Sequence, residues 1–74
     1  MVENEDFLSL FKEAVENEDI SLSSKLEDIE EWDSLAVLTL ISEVEDNYGL
    51  ILDPDMLDEC LNVSDILALV NGAS

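Results

Sequence analysis

The sequence predicts an all-α fold, a four-helix bundle in which the third helix is short and the first loop is long. Apolar residues recur every three or four positions along most of the chain, which is the spacing of one helix face. No segment alternates apolar and polar residues for long enough to form a strand. Residues that begin and end helices flank the longest apolar segment, with Asp33 before it and Gly49 after it.

The first helix is predicted over residues 4–17. Asn4 is placed to cap its start, and Glu5 and Asp6 follow in the first turn, where the helix dipole favours anions. Its inward face consists of Phe7, Leu8, Phe11, Ala14 and Val15. Residues 18–32 then lose the helical pattern. The apolar residues scattered among their serines predict a long loop that is pinned across the bundle.

The second helix, predicted over residues 34–48, has the strongest pattern. Its apolar stripe consists of Leu35, Val37, Leu38, Leu40, Ile41, Val44 and Tyr48. Asp33 occupies the N-cap position, and Gly49 stands where a helix commonly ends. A stripe this wide is expected to pack against more than one neighbouring helix.

The third helix is predicted over about residues 54–60. Asp53 can cap it, and Pro54 is tolerated in its first turn. Cys60 near its end is expected to be a partly buried packing residue, because a free cysteine behaves as a small apolar side chain.

The last helix is predicted over about residues 63–71, ending near Gly72. Asn62 is placed to cap it, with Asp65 three residues later in the manner of a capping box. The residues expected to point inward are Val63, Ile66, Leu67 and Val70.

The charge balance limits the functions open to this chain. Twenty acidic residues face two lysines and no arginine, so the net charge is −18. Nucleic-acid binding is excluded because it needs cations to neutralise phosphates, and an anionic membrane surface would repel the chain. Such a field favours basic patches on partner proteins. The 74 residues are enough for one domain, over residues 1–74, which we expect to be a monomer. The single cysteine and the lack of an apolar stretch of membrane-span length lead us to expect a cytoplasmic protein.

The chain lacks the residues that most enzymes use. No histidine is present to activate a serine or to bind zinc, and Cys60 has no evident base. Asp53-Pro54-Asp55 begins like a calcium loop, but the glycine and glutamate that such a loop needs later are missing. The sequence therefore predicts no catalytic residue and no metal site, and the protein is expected not to be an enzyme.

Ser34 stands at the predicted first position of the second helix. Free backbone N–H groups and the helix dipole would stabilise a phosphate there, so a serine esterified through a phosphodiester would be well placed. A separate enzyme would supply the base. Serine near a helix start is also a common local choice with no further role, so the residue type alone leaves both interpretations open.

The chain resembles the acyl carrier proteins, including the related aminoacyl and peptidyl carrier domains. The residues that carry the resemblance lie at the starts and ends of the helices: Asp33-Ser34-Leu35, Tyr48-Gly49, Asp53-Pro54 and Asn62-Val63-Ser64-Asp65-Ile66. A helix and a long loop precede them, so the resemblance extends over essentially the whole domain.

This resemblance implies a stand-alone carrier of biosynthetic intermediates. Ser34 would carry 4′-phosphopantetheine, transferred from coenzyme A by a phosphopantetheinyl transferase, and Asp33 and Leu35 would help that enzyme recognise the helix start. The thiol of the arm would hold acyl or aminoacyl groups as thioesters and present them to ligases, synthases or transferases. The residues expected to meet basic docking patches on those enzymes lie farther along the second helix: Val37, Glu43, Glu45 and Asp46.

A cargo that folds back into the bundle would need a slot between the second helix and the later helices. The candidate lining residues are Leu38, Ile41, Leu52, Leu57, Cys60 and Ile66. The alternative is that these side chains fill a tight core, as would suit a small polar cargo.

Two departures from the family pattern narrow the range of pathways that the carrier would serve. Fatty-acid carrier proteins commonly have Leu-Gly shortly before the Asp-Ser-Leu, where this chain has Glu30-Glu31-Trp32. They often have acids two and five positions after the serine, where this chain has Ala36 and Thr39. The chain therefore looks more like a carrier of a specialised lipid or secondary-metabolite pathway than of housekeeping fatty-acid synthesis.

The rival interpretation is an acidic helical interaction module, such as an inhibitor of a basic partner, with an unmodified serine. It accounts for the charge and the helices equally well, but it gives no reason for Asp33-Ser34-Leu35 at the helix start. Trp32 is open to two interpretations as well, because it can close an apolar contact before the cap or face a partner as an anchor.

Overall fold

The computed structural model describes residues 2–73, and the regular elements within them are helical. The helices, in chain order, are α1 (Asn4–Val15), α2 (Ser34–Tyr48), α3 (Pro54–Asp58) and α4 (Val63–Ala73). The predicted all-α bundle with a short third helix and a long first loop is therefore confirmed. Met1 and Ser74, the ends of the predicted domain, lie outside the described residues.

The boundaries of α2 agree with the sequence, whereas those of its neighbours differ. Asn4 is the first residue of α1 and does not cap it, since Glu3 precedes it in the N-cap position without a side-chain hydrogen bond. The helix ends at Val15 because Glu16 turns the backbone into the left-handed region. At the other end of the chain, α4 continues past Gly72.

Glu16 adopts a φ of 58°, a conformation that costs a residue with a Cβ atom about 1–2 kcal/mol. We therefore expect Glu16→Gly to raise the free energy of unfolding by up to about 1 kcal/mol, the gain being reduced by the greater freedom of glycine in the unfolded chain. Urea denaturation measures this change. Glu16→Ala is the matched control, because it removes the same carboxylate but keeps the Cβ atom. An equal gain in stability in both variants would show that the loss of the carboxylate charge causes it, and would contradict the claim that Glu16 strains the backbone.

The core is formed where α1 packs on α2 and where α3 and α4 close against them. The largest fully buried side chains come from all four helices: Phe7, Phe11, Leu40, Val44, Leu57, Val63, Ile66 and Val70. The long loop contributes the buried side chains of Ile20, Leu26 and Ile29. It is therefore pinned to the bundle, as the sequence predicted.

Backbone hydrogen bonds tie this loop to the start of α4. The N–H of Leu26 donates to the carbonyl of Leu61 (3.0 Å), and the N–H groups of Val63 and Ser64 donate to the carbonyls of Ser24 (3.1 Å) and Leu22 (2.9 Å). These bonds satisfy N–H groups that the first turn of a helix otherwise leaves without partners. The loop and α4 therefore hold each other in place.

The predicted cap of α4 is present in a modified form. The N–H of Asp65 donates to Oδ1 of Asn62 (2.9 Å), as in a capping box. The carboxylate of Asp65 in turn accepts from the N–H of Leu61 (3.0 Å), one residue before the cap.

Candidate functional site

Ser34 is the first residue of α2, as the sequence predicted. Asp33 precedes it with an extended backbone, and Oδ1 of Asp33 accepts a hydrogen bond from the N–H of Ala36 (2.9 Å). The carbonyl of Asp33 accepts from the N–H of Val37 (3.0 Å), which closes the first helical turn. Asp33 is thus the N-cap, and its side chain fixes the helix start immediately before Ser34.

The hydroxyl of Ser34 is exposed, and within residues 2–73 it makes no hydrogen bond. Ser64 provides a contrast, because it also lies in the first turn of a helix but donates its hydroxyl to Oδ1 of Asn62 (2.7 Å). The first turn of α2 presents backbone N–H groups and the positive end of the helix dipole to this hydroxyl. The arrangement fits a phosphodiester on Ser34, which would be accessible to another enzyme and stabilised by the helix start.

The surface beside Ser34 is apolar. Leu35 is 71% exposed and Leu38 is 57% exposed. Ala36 is buried, and the hydroxyl of Thr39 donates back to the carbonyl of Leu35 (2.9 Å). No acid follows Ser34 along α2 before Glu43.

The predicted partner-binding residues lie on two parts of α2. Glu45 and Asp46 are exposed, whereas Val37 and Glu43 are half-buried. The carbonyl of Glu43 accepts a hydrogen bond from Nδ2 of Asn47 (2.8 Å), one turn farther along.

Acidic side chains also surround the groove between α1 and α2. Asp6 and Glu43 line it together with Tyr48. Burial raises the pKa of the Tyr48 phenol, and the charge of Asp6 raises it further. Tyr48 therefore stays protonated and neutral through the physiological pH range.

The six candidate slot residues differ in burial. Leu52, Leu57 and Ile66 are buried in the core, Ile41 and Cys60 are half-buried against it, and Leu38 is exposed. A continuous slot through them stays a prediction, because the grooves described along α1 are lined by none of these six residues.

Cys60 is held with its sulfur 3.6 Å from the carbonyl oxygen of Met56. Burial raises the pKa of the Cys60 thiol, and the charges of Asp65 and Glu59 add to the increase. Its thiolate fraction near neutral pH is therefore reduced, and with it the rate at which the thiol reacts.

Sequence reasoning missed the regular spacing of apolar residues in the loop before Ser34. Leu26 and Ile29 are buried, and Trp32 is half-buried with its ring stacked on Phe11. The signal was present as a spacing of three, which is the period of a 3₁₀ turn rather than of an α-helix. Such a turn is found over Leu26–Asp28.

Neither a metal-binding cluster nor a membrane-spanning helix is found in the part of the chain that the structure describes. Within residues 2–73, no group of three or more His, Cys, Asp or Glu side chains is arranged to hold a metal ion. Among the helices described, none combines the length and apolar character needed to cross a bilayer.

The sequence of this chain is similar to those of known proteins. The family model described as "Phosphopantetheine attachment site" matches residues 5–70. A Streptomyces coelicolor protein named "Probable acyl carrier protein" is 49% identical over 41 residues, which cover 55% of this chain and 44% of the relative. The match thus spans less than half of the relative's length. No solved structure matches the chain.

Proposed function

Because the chain belongs to the phosphopantetheine-attachment family of acyl carrier proteins, we propose that Ser34 is the residue that bears its prosthetic arm. The members of this family are carriers and not enzymes, and their cofactor is 4′-phosphopantetheine. The observation that supports Ser34 is its exposed hydroxyl, free of hydrogen bonds within residues 2–73, at the start of a helix that Asp33 caps.

The chain's own residues suit this attachment. The bond from Oγ of Ser34 to phosphorus would form as the pyrophosphate bond of coenzyme A breaks. Adenosine 3′,5′-bisphosphate would leave with the electron pair of the broken P–O bond, and the hydroxyl proton would pass to a base of the transferase. Asp33 and Leu35 flank the serine and are exposed, so they are available for recognition by that enzyme. Once bound, the arm supplies a thiol that carries acyl groups as thioesters.

The partner surface that we propose begins beside Ser34 and continues along α2. Leu35, Leu38 and Val37 would supply apolar contact near the attachment point, and the acids would steer basic patches of ligases, synthases or transferases toward it. The exposure of Leu35, Glu45 and Asp46 supports this arrangement.

The pathway that we propose is specialised rather than housekeeping. Burial of Ala36 supports this, since a carboxylate at that position would lose its hydration without a partner. Thr39 also directs its hydroxyl to the backbone of its own helix. Enzymes that recognise a carrier by acidic residues shortly after the serine would lack those contacts here, because no acid follows Ser34 before Glu43. The cargo classes that we propose are aminoacyl, polyketide-like and surface-polysaccharide intermediates. We propose that the carrier is a monomer and that it acts in the cytoplasm.

The carrier function is tested by incubating the protein with coenzyme A, Mg²⁺ and a broad-specificity phosphopantetheinyl transferase and recording the intact mass. We expect conversion to a species heavier by one phosphopantetheine. The added thiol should react with a thiol reagent faster than Cys60, whose raised pKa slows it. A protein that stays unmodified would favour the rival interpretation, an acidic interaction module that binds a basic partner.

The pathway is tested separately with the modified protein. We expect a housekeeping fatty-acid malonyl transferase to load it at least about tenfold more slowly than a fatty-acid carrier, because charge pairs worth about 1.4 kcal/mol are missing at the interface. Equal loading rates would contradict the specialised assignment while leaving the carrier function intact.

A further inference from the structure

The segment that leads into Ser34 is a chain of tight turns, which we call the approach segment (residues 25–33). Backbone N–H groups donate two or three residues back along it, at 3.0–3.1 Å: Asp28 to Lys25, Ile29 to Leu26, Trp32 to Ile29 and Asp33 to Glu31. Residues three apart lie on the same side of such turns. The approach segment therefore directs Leu26, Ile29 and Trp32 toward the bundle.

Trp32 makes the last of these three contacts. Its ring stacks on Phe11 of α1, with centroids 5.3 Å apart and planes inclined by 26°. Phe11 is itself fully buried and lies against Phe7, with ring centroids 6.1 Å apart. Phe11, the partner of Trp32, is thus fixed in the core. Aromatic pairs of this kind stabilise the fold by more than the burial of their surface alone.

A second contact joins the approach segment to Asn17, two residues after α1 ends. Nδ2 of Asn17 donates to Oε1 of Glu31 at 3.1 Å. Because this hydrogen bond is exposed to solvent, it stabilises the position of the approach segment less than the aromatic stack does. The two contacts hold the same short piece of chain, one against α1 and the other against the residues that follow it.

The side chains around the attachment point do not anchor it. Asp33, Ser34 and Leu35 are all exposed, and the next buried side chain along α2 is Ala36. On the other side, Trp32 is the last packed side chain before Ser34. The direction from which the chain enters α2 therefore depends on Trp32.

We propose that Trp32, through its stack on Phe11, is a positioning residue that holds Ser34 in place for the phosphopantetheinyl transferase. This inference rests on the proposed attachment at Ser34. The transferase must bring one serine oxygen into line with a phosphorus atom, and a displacement of about 1 Å can slow such a reaction about a hundredfold. The apolar and acidic residues of α2 that the transferase would bind are untouched by a change at Trp32, so binding is retained.

The test measures kcat and KM of the transferase for the unmodified protein and its variants. We expect Trp32→Ala to lower kcat by about ten- to a hundredfold with KM within about twofold. Trp32→Phe keeps an aromatic ring against Phe11 and is expected to restore most of kcat. Trp32→Leu keeps apolar burial without the ring and is expected to remain slow. It serves as the second variant should Trp32→Ala fold poorly.

A matched control separates positioning from loss of stability. Val70 is buried in α4 next to Asn71, whose side chain accepts a hydrogen bond from the N–H of Val2. Val2 precedes α1, whereas Phe11 lies in the second half of that helix. We expect Val70→Ala to lower the melting temperature as Trp32→Ala does while leaving kcat unchanged. Hydrogen exchange of the Leu35 and Ala36 amides, followed by NMR, should accelerate in Trp32→Ala and not in Val70→Ala.

The outcomes are distinct. Equal kcat for wild type and Trp32→Ala, equal losses in Trp32→Ala and Val70→Ala, or no recovery in a folded Trp32→Phe would each overturn the positioning role. A wild-type protein that receives no phosphopantetheine would instead overturn the proposed function on which this role rests.

Discussion

The Ser34→Ala protein is expected to receive no phosphopantetheine under conditions that convert the wild type completely. The oxygen that would bond to phosphorus is removed, and nothing else in the fold changes, because the side chain is exposed and makes no hydrogen bond within residues 2–73. The free energy of unfolding should therefore shift by no more than about 0.5 kcal/mol. Intact-mass spectrometry follows the modification, and urea denaturation follows the stability.

Two other serines provide matched controls for this experiment. Ser64 lies in the first turn of α4 with its hydroxyl bonded to Asn62, and Ser42 is exposed on α2 itself. We expect Ser64→Ala and Ser42→Ala to be modified as completely as the wild type. A Ser34→Ala protein that still gains the group, or a Ser64→Ala protein that loses it, would place the attachment elsewhere.

Leu40→Ala is expected to lower the free energy of unfolding by about 2–5 kcal/mol. Leu40 lies near the middle of α2, and its side chain is 0% exposed in the core. Truncation removes the burial of its methyl groups and leaves a cavity that the surrounding side chains fill only in part. For a small domain this is a large share of the total stability, and urea or thermal denaturation measures it directly.

Leu38→Ala is the matched comparison, since the same substitution is made two residues away on the same helix. Leu38 is 57% exposed, so we expect its truncation to lower the free energy of unfolding by less than about 1 kcal/mol. Comparable losses in the two variants would contradict the assignment of Leu40 to the core and Leu38 to the surface.

The helices could be predicted because their apolar spacing and their caps agree. α2 begins and ends where Asp33 and Gly49 indicate, since an aspartate cap and a left-handed glycine have strong local preferences. α1 ends earlier than the pattern suggested, at Val15, because Glu16 takes a left-handed conformation that its residue type does not favour. Local backbone hydrogen bonds close that end, since the N–H of Asn17 donates to the carbonyl of Lys12 (3.1 Å) and the N–H of Glu16 donates to the carbonyl of Glu13 (3.3 Å).

Ser34 could be proposed as the attachment residue from the helix start and from the resemblance of its surroundings, whereas the packing that supports this helix start could not be predicted from the sequence. The stack between Phe11 and Trp32 joins residues far apart in the chain, and it depends on the tertiary packing of the loop against α1. Burial of Ala36 likewise depends on the neighbouring elements. Periodicity within one segment carries no information about such contacts.

The most direct test of the carrier account is to digest the enzymatically modified wild-type protein and locate the phosphopantetheine by fragmentation mass spectrometry. The account predicts one group per chain, on Ser34. A group on any other residue, or a protein that remains unmodified, would contradict it.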